Sequence, residues 1–319
     1  MNYIVFDLEW NQSPDGKKFE NARLPFEIIE IGAVKLDKDK NIIDSFQRLI
    51  KPQVYNWIHD SIHEVIHVDY KDLTDGLPFP LAVREFLQWC GKDYAFFTWG
   101  NQDVMELQRN MKYYNMLSLI KGPVTYYDVQ KLYGICYEED GERRALETAV
   151  QQLKIKSQME FHRAVADAYY TAYVLQYIDD NCIRQNPSLD VYQNPKSRKE
   201  EVHMEYSMWN KYVSREFFSR ERVMKDREVL STCCPVCHCP ARRKVRWFMN
   251  NNSKVYYCLA ICQEHGTIEG KIRIRRTEED KYFAVKTLYR VGTEEAEKIR
   301  EKRDSLRLKR QLKRKQEVR

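Results

Sequence analysis

The sequence predicts an α/β protein carrying a small β-rich metal-binding region and a basic helical tail. Three observations predict it. Strand-like and helix-like runs alternate as far as about Asp180; six of the nine cysteines crowd between Cys233 and Cys262 among β-prone runs; and after Gly292 the chain has neither Gly nor Pro and is dense in charge.

Taken in order, YIVFDL (Tyr3 to Leu8), IIEIGAVKL (Ile28 to Leu36) and IIDSFQRLI (Ile42 to Ile50) are β-branched and aromatic runs separated by polar turns, a strand followed by a hairpin. Leu81, Val83, Phe86, Leu87 and Cys90 mark one face of a helix, and YAFFT (Tyr94 to Thr98) reads as a buried strand. Asn101 caps a helix running to about Tyr113, Val124 to Tyr127 is a short strand, Ala145 to Leu153 a helix, and His162 to Ile178 the longest helix of this half. Breakers at Asn186-Pro187 and Asn194-Pro195 introduce a charged stretch, about 196–230, read as partly helical. Short strands resume around the cysteines, and the tail reads as a single exposed helix. The expected division is therefore 1–182 as the α/β domain, 183–230 as a link, 231–291 as a zinc-ribbon-like region and 292–319 as a basic tail.

With 319 residues, 43% hydrophobic and 31% charged, the chain suits two globular units. No stretch approaches the roughly 18 apolar residues of a membrane span, and Asp7 and Glu9 interrupt the only stretch where a leader would sit. The clustered cysteines suit a reducing compartment, so the cytoplasm is expected. The net charge of +6 divides unevenly: residues 1–180 carry 20 Lys+Arg against 28 Asp+Glu, and residues 181–319 carry 33 against 19. A basic second half implies a polyanionic partner, with a protein partner as the alternative. Arg242, Arg243, Lys244 and Arg246 beside Trp247 make the expected nucleic-acid contact.

Asp7 and Glu9 lie two apart on a strand, so the pleat sends both to one face while Phe6 and Leu8 take the other. Paired carboxylates on a dry strand need cations, and hard oxygen donors suit Mg²⁺ or Mn²⁺. Asp103 falls in the first turn of a helix directly after a strand, near the C-terminal edge of the sheet. Asp167 interrupts a small-residue stripe of the long helix. His162 lies about 140° away from it round a continuous helix, so both serve one site only if His162 precedes the helix or opens its first turn.

FDLEW, GNQDVMEL and HRAVADAYYTA, in this order, resemble the three motifs of the DEDDh 3'-to-5' exonucleases of the DnaQ-like, RNase H-like superfamily, in particular the KapD and Eri-type exonucleases. The resemblance covers roughly residues 1 to 180. It implies a mixed five-stranded sheet with flanking helices and a two-metal site (Mg²⁺ or Mn²⁺) on Asp7, Glu9, Asp103 and Asp167. It further implies His162 as general base, and release of nucleoside 5'-monophosphates from single-stranded RNA or DNA 3' ends. Two divalent ions about 4 Å apart suit such an in-line phosphoryl displacement. The alternative is a catalytically weak nucleic-acid- or protein-binding factor on the same fold.

Cys234 and Cys237, then Cys262 and His265, form two knuckle-like pairs separated by 24 residues, the spacing of a structural zinc ribbon with one Zn²⁺. Cys258 is an alternative ligand, and Cys233, Cys239 and His238 are spares. A competing motif, His63-Glu64-Val65-Ile66-His67, fits H-E-x-x-H, with His59 and Glu85 as further candidate ligands. Its position between a strand and the next helix, and its failure to continue as a zinc-binding helical face, weigh against it.

Overall fold

The computed structural model describes residues 1–57, 70–138, 142–156, 159–250 and 255–317. The chain divides into two compact units, Met1–Gln193 and Asn194–Arg319. The competing histidines, His59, His63 and His67, and Glu64 lie outside the described residues. Glu85 is described and pairs with Arg48 at 2.8 Å.

In the first unit β1 (Asn2–Asn11), β2 (Glu27–Leu36) and β3 (Ile42–Leu49) are followed by α1 (Tyr70–Thr74), α2 (Phe79–Cys90), β4 (Tyr94–Thr98) and α3 (Gln102–Tyr113). Then come β5 (Val124–Asp128), α4 (Val129–Tyr137), α5 (Leu146–Gln152), α6 (Ala164–Gln176), α7 (Asp180–Gln185) and β6 (Ser188–Asp190). The mixed sheet has six strands in the order β3-β2-β1-β4-β5-β6. The β1–β4 and β4–β5 pairs are parallel and the others antiparallel. The strand beyond the expected five is β6, a short edge segment hidden between the breakers at Pro187 and Asn194-Pro195.

The predicted alternation along β1 holds. Ile4, Phe6 and Leu8 enter the core shared with α2 and α3, whereas Val5 joins the core beneath α4 and α6. Helix α6 docks on β1 and β2 through Gly32, where a Cβ would lie 2.0 Å from the Val165 nitrogen and 2.1 Å from the Ala164 carbonyl carbon. Only glycine admits that approach, since no core tolerates backbone overlap. Helix α4 escaped the sequence reading; its start is set by Asp128, whose carboxylate accepts the Lys131 N–H.

The second unit corrects the expected division. Residues 183–230 are partly helical, as expected, but are not a mere link: they supply β6 to the first sheet and then β7 (Val202–Glu205), β8 (Trp209–Val213), α8 (Arg220–Val223) and α9 (Arg227–Leu230). The charged composition masked a strand alternation, half-buried Val202 and Met204 against exposed His203 and Glu205. With β9 (Arg242–Met249), β10 (Val255–Cys262), β11 (Gly266–Arg276) and β12 (Tyr282–Arg290) they form a six-stranded antiparallel sheet, β7-β8-β12-β11-β10-β9. The tail helix α10 (Thr293–Glu317) is not simply exposed, because Ala296 and Ile299 pack on Val245 and Leu259. No described helix is long and apolar enough to cross a membrane.

Candidate active site and metal centres

Strand β1 outruns its parallel neighbour: Asn2 to Val5 pair with Tyr94 to Phe97, and the strand then continues past the end of β4. The Leu8 N–H, beyond that pairing, donates to Asp103 Oδ1 at 3.3 Å. The first turn of α3 thereby brings a buried carboxylate to the crevice at the C-terminal strand ends. On the face of β1 away from the Phe6 and Leu8 side chains, Asp7 stands across from Gly32 and Glu9 across from Glu30. Since α6 starts at Gly32, Asp167 in its first turn joins them, and ligand oxygens of Asp7, Glu9 and Asp167 all lie within 4.8 Å of one another.

His162 sits before α6, exposed, with φ of 66°. This left-handed residue resolves the helical-phase problem, because it lies outside the helix. Its N–H donates to Asp167 Oδ2 at 3.3 Å.

Glu30 is the member the sequence reading missed. It is 1% exposed, and it is held by Arg163 at 3.2 Å and by Gln47 at 2.7 Å. The ion pair anchors the N-cap residue of α6 beside the cluster. Period-2 counting on IIEIGAVKL was the available signal, for it places a carboxylate among buried positions. Asp128, 1% exposed and paired with Arg143 at 2.7 Å, is a further buried acid whose charge acts on Asp103.

The crowding shows in the electrostatics. Burial, then the charges of Asp103, Glu9 and Asp167, hold the Asp7 carboxyl well above the usual carboxylate range. Burial and Asp167 push Glu9 up to about 8. Asp103 is raised to about 7 by burial, against the stabilising backbone N–H of Leu8. Asp167 rises to about 6 by burial, opposed by the charge of His162. Asp167 Oδ1 is buried and has no hydrogen-bond partner among the described residues. An orphaned carboxylate oxygen among hard oxygen donors fits a divalent cation such as Mg²⁺ or Mn²⁺.

Without divalent ions, the stability supplied by protonated Asp167 and Glu9 is full below the ordinary values of 3.8 and 4.5 and is lost as pH rises through about 6 and about 8. The melting temperature of the first unit should therefore fall across that window, and Mg²⁺ should raise it more at pH 8 than at pH 6. Glu9→Gln should flatten the upper part of the slope; an unchanged slope would contradict the crowding.

In the second unit the ligand atoms of Cys234, Cys237, Cys262 and His265 lie within 4.8 Å of one another. Cys237 Sγ is 3.6 Å from Cys262 Sγ, which is 3.7 Å from His265 Nδ1. The His265 backbone N–H and then its imidazole lower the Cys262 thiol to about 6. Three soft sulfurs and one imidazole in a compact group fit zinc. Cys258 lies outside the group. It is buried against Gly270, and burial pushes its thiol up to about 12. Cys233 and Cys239 are also outside the group.

Arg242, Arg243, Lys244 and Arg246 are exposed on the edge strand β9. Trp247 does not accompany them. Its indole packs over Gly270 and donates to the Leu230 carbonyl at 3.1 Å, which removes it from base stacking.

Fold and site define a nuclease, built on a mixed α/β sheet with carboxylates gathered at its strand ends. The chain belongs to the exonuclease family (RNase_T), whose model matches residues 4–175. Among solved structures it is similar to a full-length 3'-exonuclease, with 18% identity, 57% of this chain and 83% of that chain covered, and a TM-score of 0.48. It is also similar to the nuclease domain of 3'hExo, a DEDDh family member, bound to rAMP, with 18% identity, coverage of 59% and 96%, and a TM-score of 0.49. A third is S. pombe Pop2p in its Mg²⁺- and Mn²⁺-bound form, with 18% identity, coverage of 55% and 81%, and a TM-score of 0.41. No curated protein sequence matches.

Proposed function

We propose that the chain is a metal-dependent 3'-to-5' exonuclease that hydrolyses single-stranded RNA or DNA to nucleoside 5'-monophosphates. The observation that carries this reading is the half-buried group of Asp7, Glu9 and Asp167, with the buried Asp103 beside it and an oxygen of Asp167 unsatisfied among the described residues. Mg²⁺ or Mn²⁺ held by Asp7, Glu9, Asp103 and Asp167 would neutralise these carboxylates and polarise the phosphodiester.

The chain's own part is positional and protolytic. Gly32 and the Glu30–Arg163 pair fix where α6 begins, and hence where Asp167 and His162 stand relative to β1. His162, which precedes the helix and is exposed, accepts the proton of the attacking water at a ring nitrogen in this reading. The water oxygen bonds to phosphorus as the bond to the 3'-oxygen breaks; that leaving oxygen takes a proton from solvent to become the shortened strand's 3'-hydroxyl, and His162 returns the water's proton to solvent.

His162→Ala should slow hydrolysis by about 10²- to 10⁴-fold near neutral pH, and by less at alkaline pH, where hydroxide replaces the base. Divalent-ion binding, read by calorimetry, should persist. An unchanged rate near neutral pH would reduce His162 to a helix-start residue.

A further inference from the structure

The second unit leaves only part of one sheet face open: Val213, Leu259 and Phe283 on that face are buried, with α10 packed on Leu259, and the exposed remainder is dominated by one sign of charge. Along β11, Ile268, Ile272 and Ile274 are buried, whereas Arg273 and Arg275 are exposed and Lys271 is half-buried. Strand register carries this face across the sheet: Lys211 of β8 stands opposite Thr287 of β12, Thr287 opposite Lys271, and Lys271 opposite Tyr257 of β10. In the adjoining row Trp209 faces Tyr289, their rings stacked with centroids 6.0 Å apart. Tyr289 remains 40% exposed. Lys271 and, from α10, Lys302 lie 5.7 Å and 4.6 Å from the centroid of Tyr257.

Alternate cations along one strand repel one another unless an anion lies across them. Burial, with Arg273 and Lys302 nearby, holds the Lys271 ammonium below its ordinary range. Glu269, opposite Tyr289, and Glu295 of α10 beside it are the acids near these rows, fewer than the cations Lys211, Lys271, Arg273, Arg275 and Lys302. Alternate residues of a strand are roughly 7 Å apart, close to the separation of successive phosphates in an extended single strand. An exposed aromatic ring beside the cations offers what a base requires and an acidic peptide does not.

We infer that this face, made by Lys211, Tyr257, Lys271, Arg273, Arg275 and Tyr289, binds single-stranded nucleic acid, its cations on phosphates and Tyr289 against a base. The inference rests on the proposed function only for the identity of that strand as substrate. It moves the expected contact from β9, where the cations have lost Trp247 to the core, to the exposed cationic part of the face formed by β8, β12, β11 and β10.

The test is fluorescence anisotropy on the full chain carrying Asp7→Asn, without added divalent ion, using labelled strands of about 20 nucleotides, longer than one binding module covers. Replacing Lys271, Arg273 and Arg275 together by Ala should lower affinity at least about 10-fold. It should also reduce the slope of log affinity against log salt by about 2, given roughly 0.7 per phosphate contact. Arg242→Ala with Arg243→Ala and Arg246→Ala should cost less. Tyr289→Ala should weaken binding about 5-fold or more on an ordinary strand and leave an abasic strand unaffected. Retained zinc, by elemental analysis, reports an intact fold. Wild-type affinity and salt slope in the triple variant would overturn the inference. So would equal affinity for poly-glutamate together with a silent Tyr289→Ala, an outcome that assigns the face to an acidic protein. Binding is read without cleavage, so failure of the active-site reading leaves this result standing, and the converse holds.

Discussion

Asp7→Asn, or Asp167→Asn, made singly in the full chain, is expected to reduce metal-dependent hydrolysis by about 10³-fold or more, equivalent to ~4 kcal/mol of transition-state stabilisation. Both residues contribute oxygens to the group that lies within 4.8 Å, and each substitution replaces one charged donor by a neutral amide. The fold should survive and gain stability without metal, because the Asp7 carboxyl is already held above its usual range by burial and by Asp103, Glu9 and Asp167. Activity is followed by release of acid-soluble nucleotide, and stability by thermal melting. Retention of more than a few per cent of activity in both variants would remove the cluster from the mechanism.

The second large effect is on structure. Cys234→Ser combined with Cys237→Ser should release zinc and unfold the second unit, while the first unit keeps its own melting transition. Cys234 and Cys262 are themselves part of a small buried cluster with Ala241, Ala260, Ile268 and Leu288. A structural zinc site contributes ~10–16 kcal/mol at neutral pH, as much as or more than the ~5–15 kcal/mol that holds a typical domain. Zinc content by elemental analysis and limited proteolysis read the outcome. A double variant that loses no zinc would place the metal elsewhere, and one that loses zinc but stays folded would make the site dispensable to the fold.

Where side-chain period and burial agree, the sequence was sufficient. Asp7 and Glu9 share a face because a pleat alternates, and this placement needed no tertiary information. The bringing together of Asp7 and Asp167 was legible only through the family resemblance, since it depends on a backbone approach at Gly32 that spacing cannot express. Glu30 was hidden because an acid in an apolar strand reads as a surface position until the helix that covers it, with Arg163, is known. Strands β7 and β8 were hidden by charge. Trp247 was misassigned for the opposite reason: a tryptophan among arginines resembles a stacking platform, and only the glycine beneath it and the Leu230 carbonyl show that the core holds it.

The most direct measurement uses RNA and DNA of equal sequence, 5'-labelled, incubated with the full chain in parallel with Mg²⁺, Mn²⁺ or chelator, the products resolved by length and by chromatography. Stepwise shortening from the 3' end is expected with either ion on at least one of the two strands, with nucleoside 5'-monophosphates as products and no reaction with chelator. Absence of shortening with both ions on every single strand, or release of nucleoside 3'-monophosphates, would contradict the proposed function.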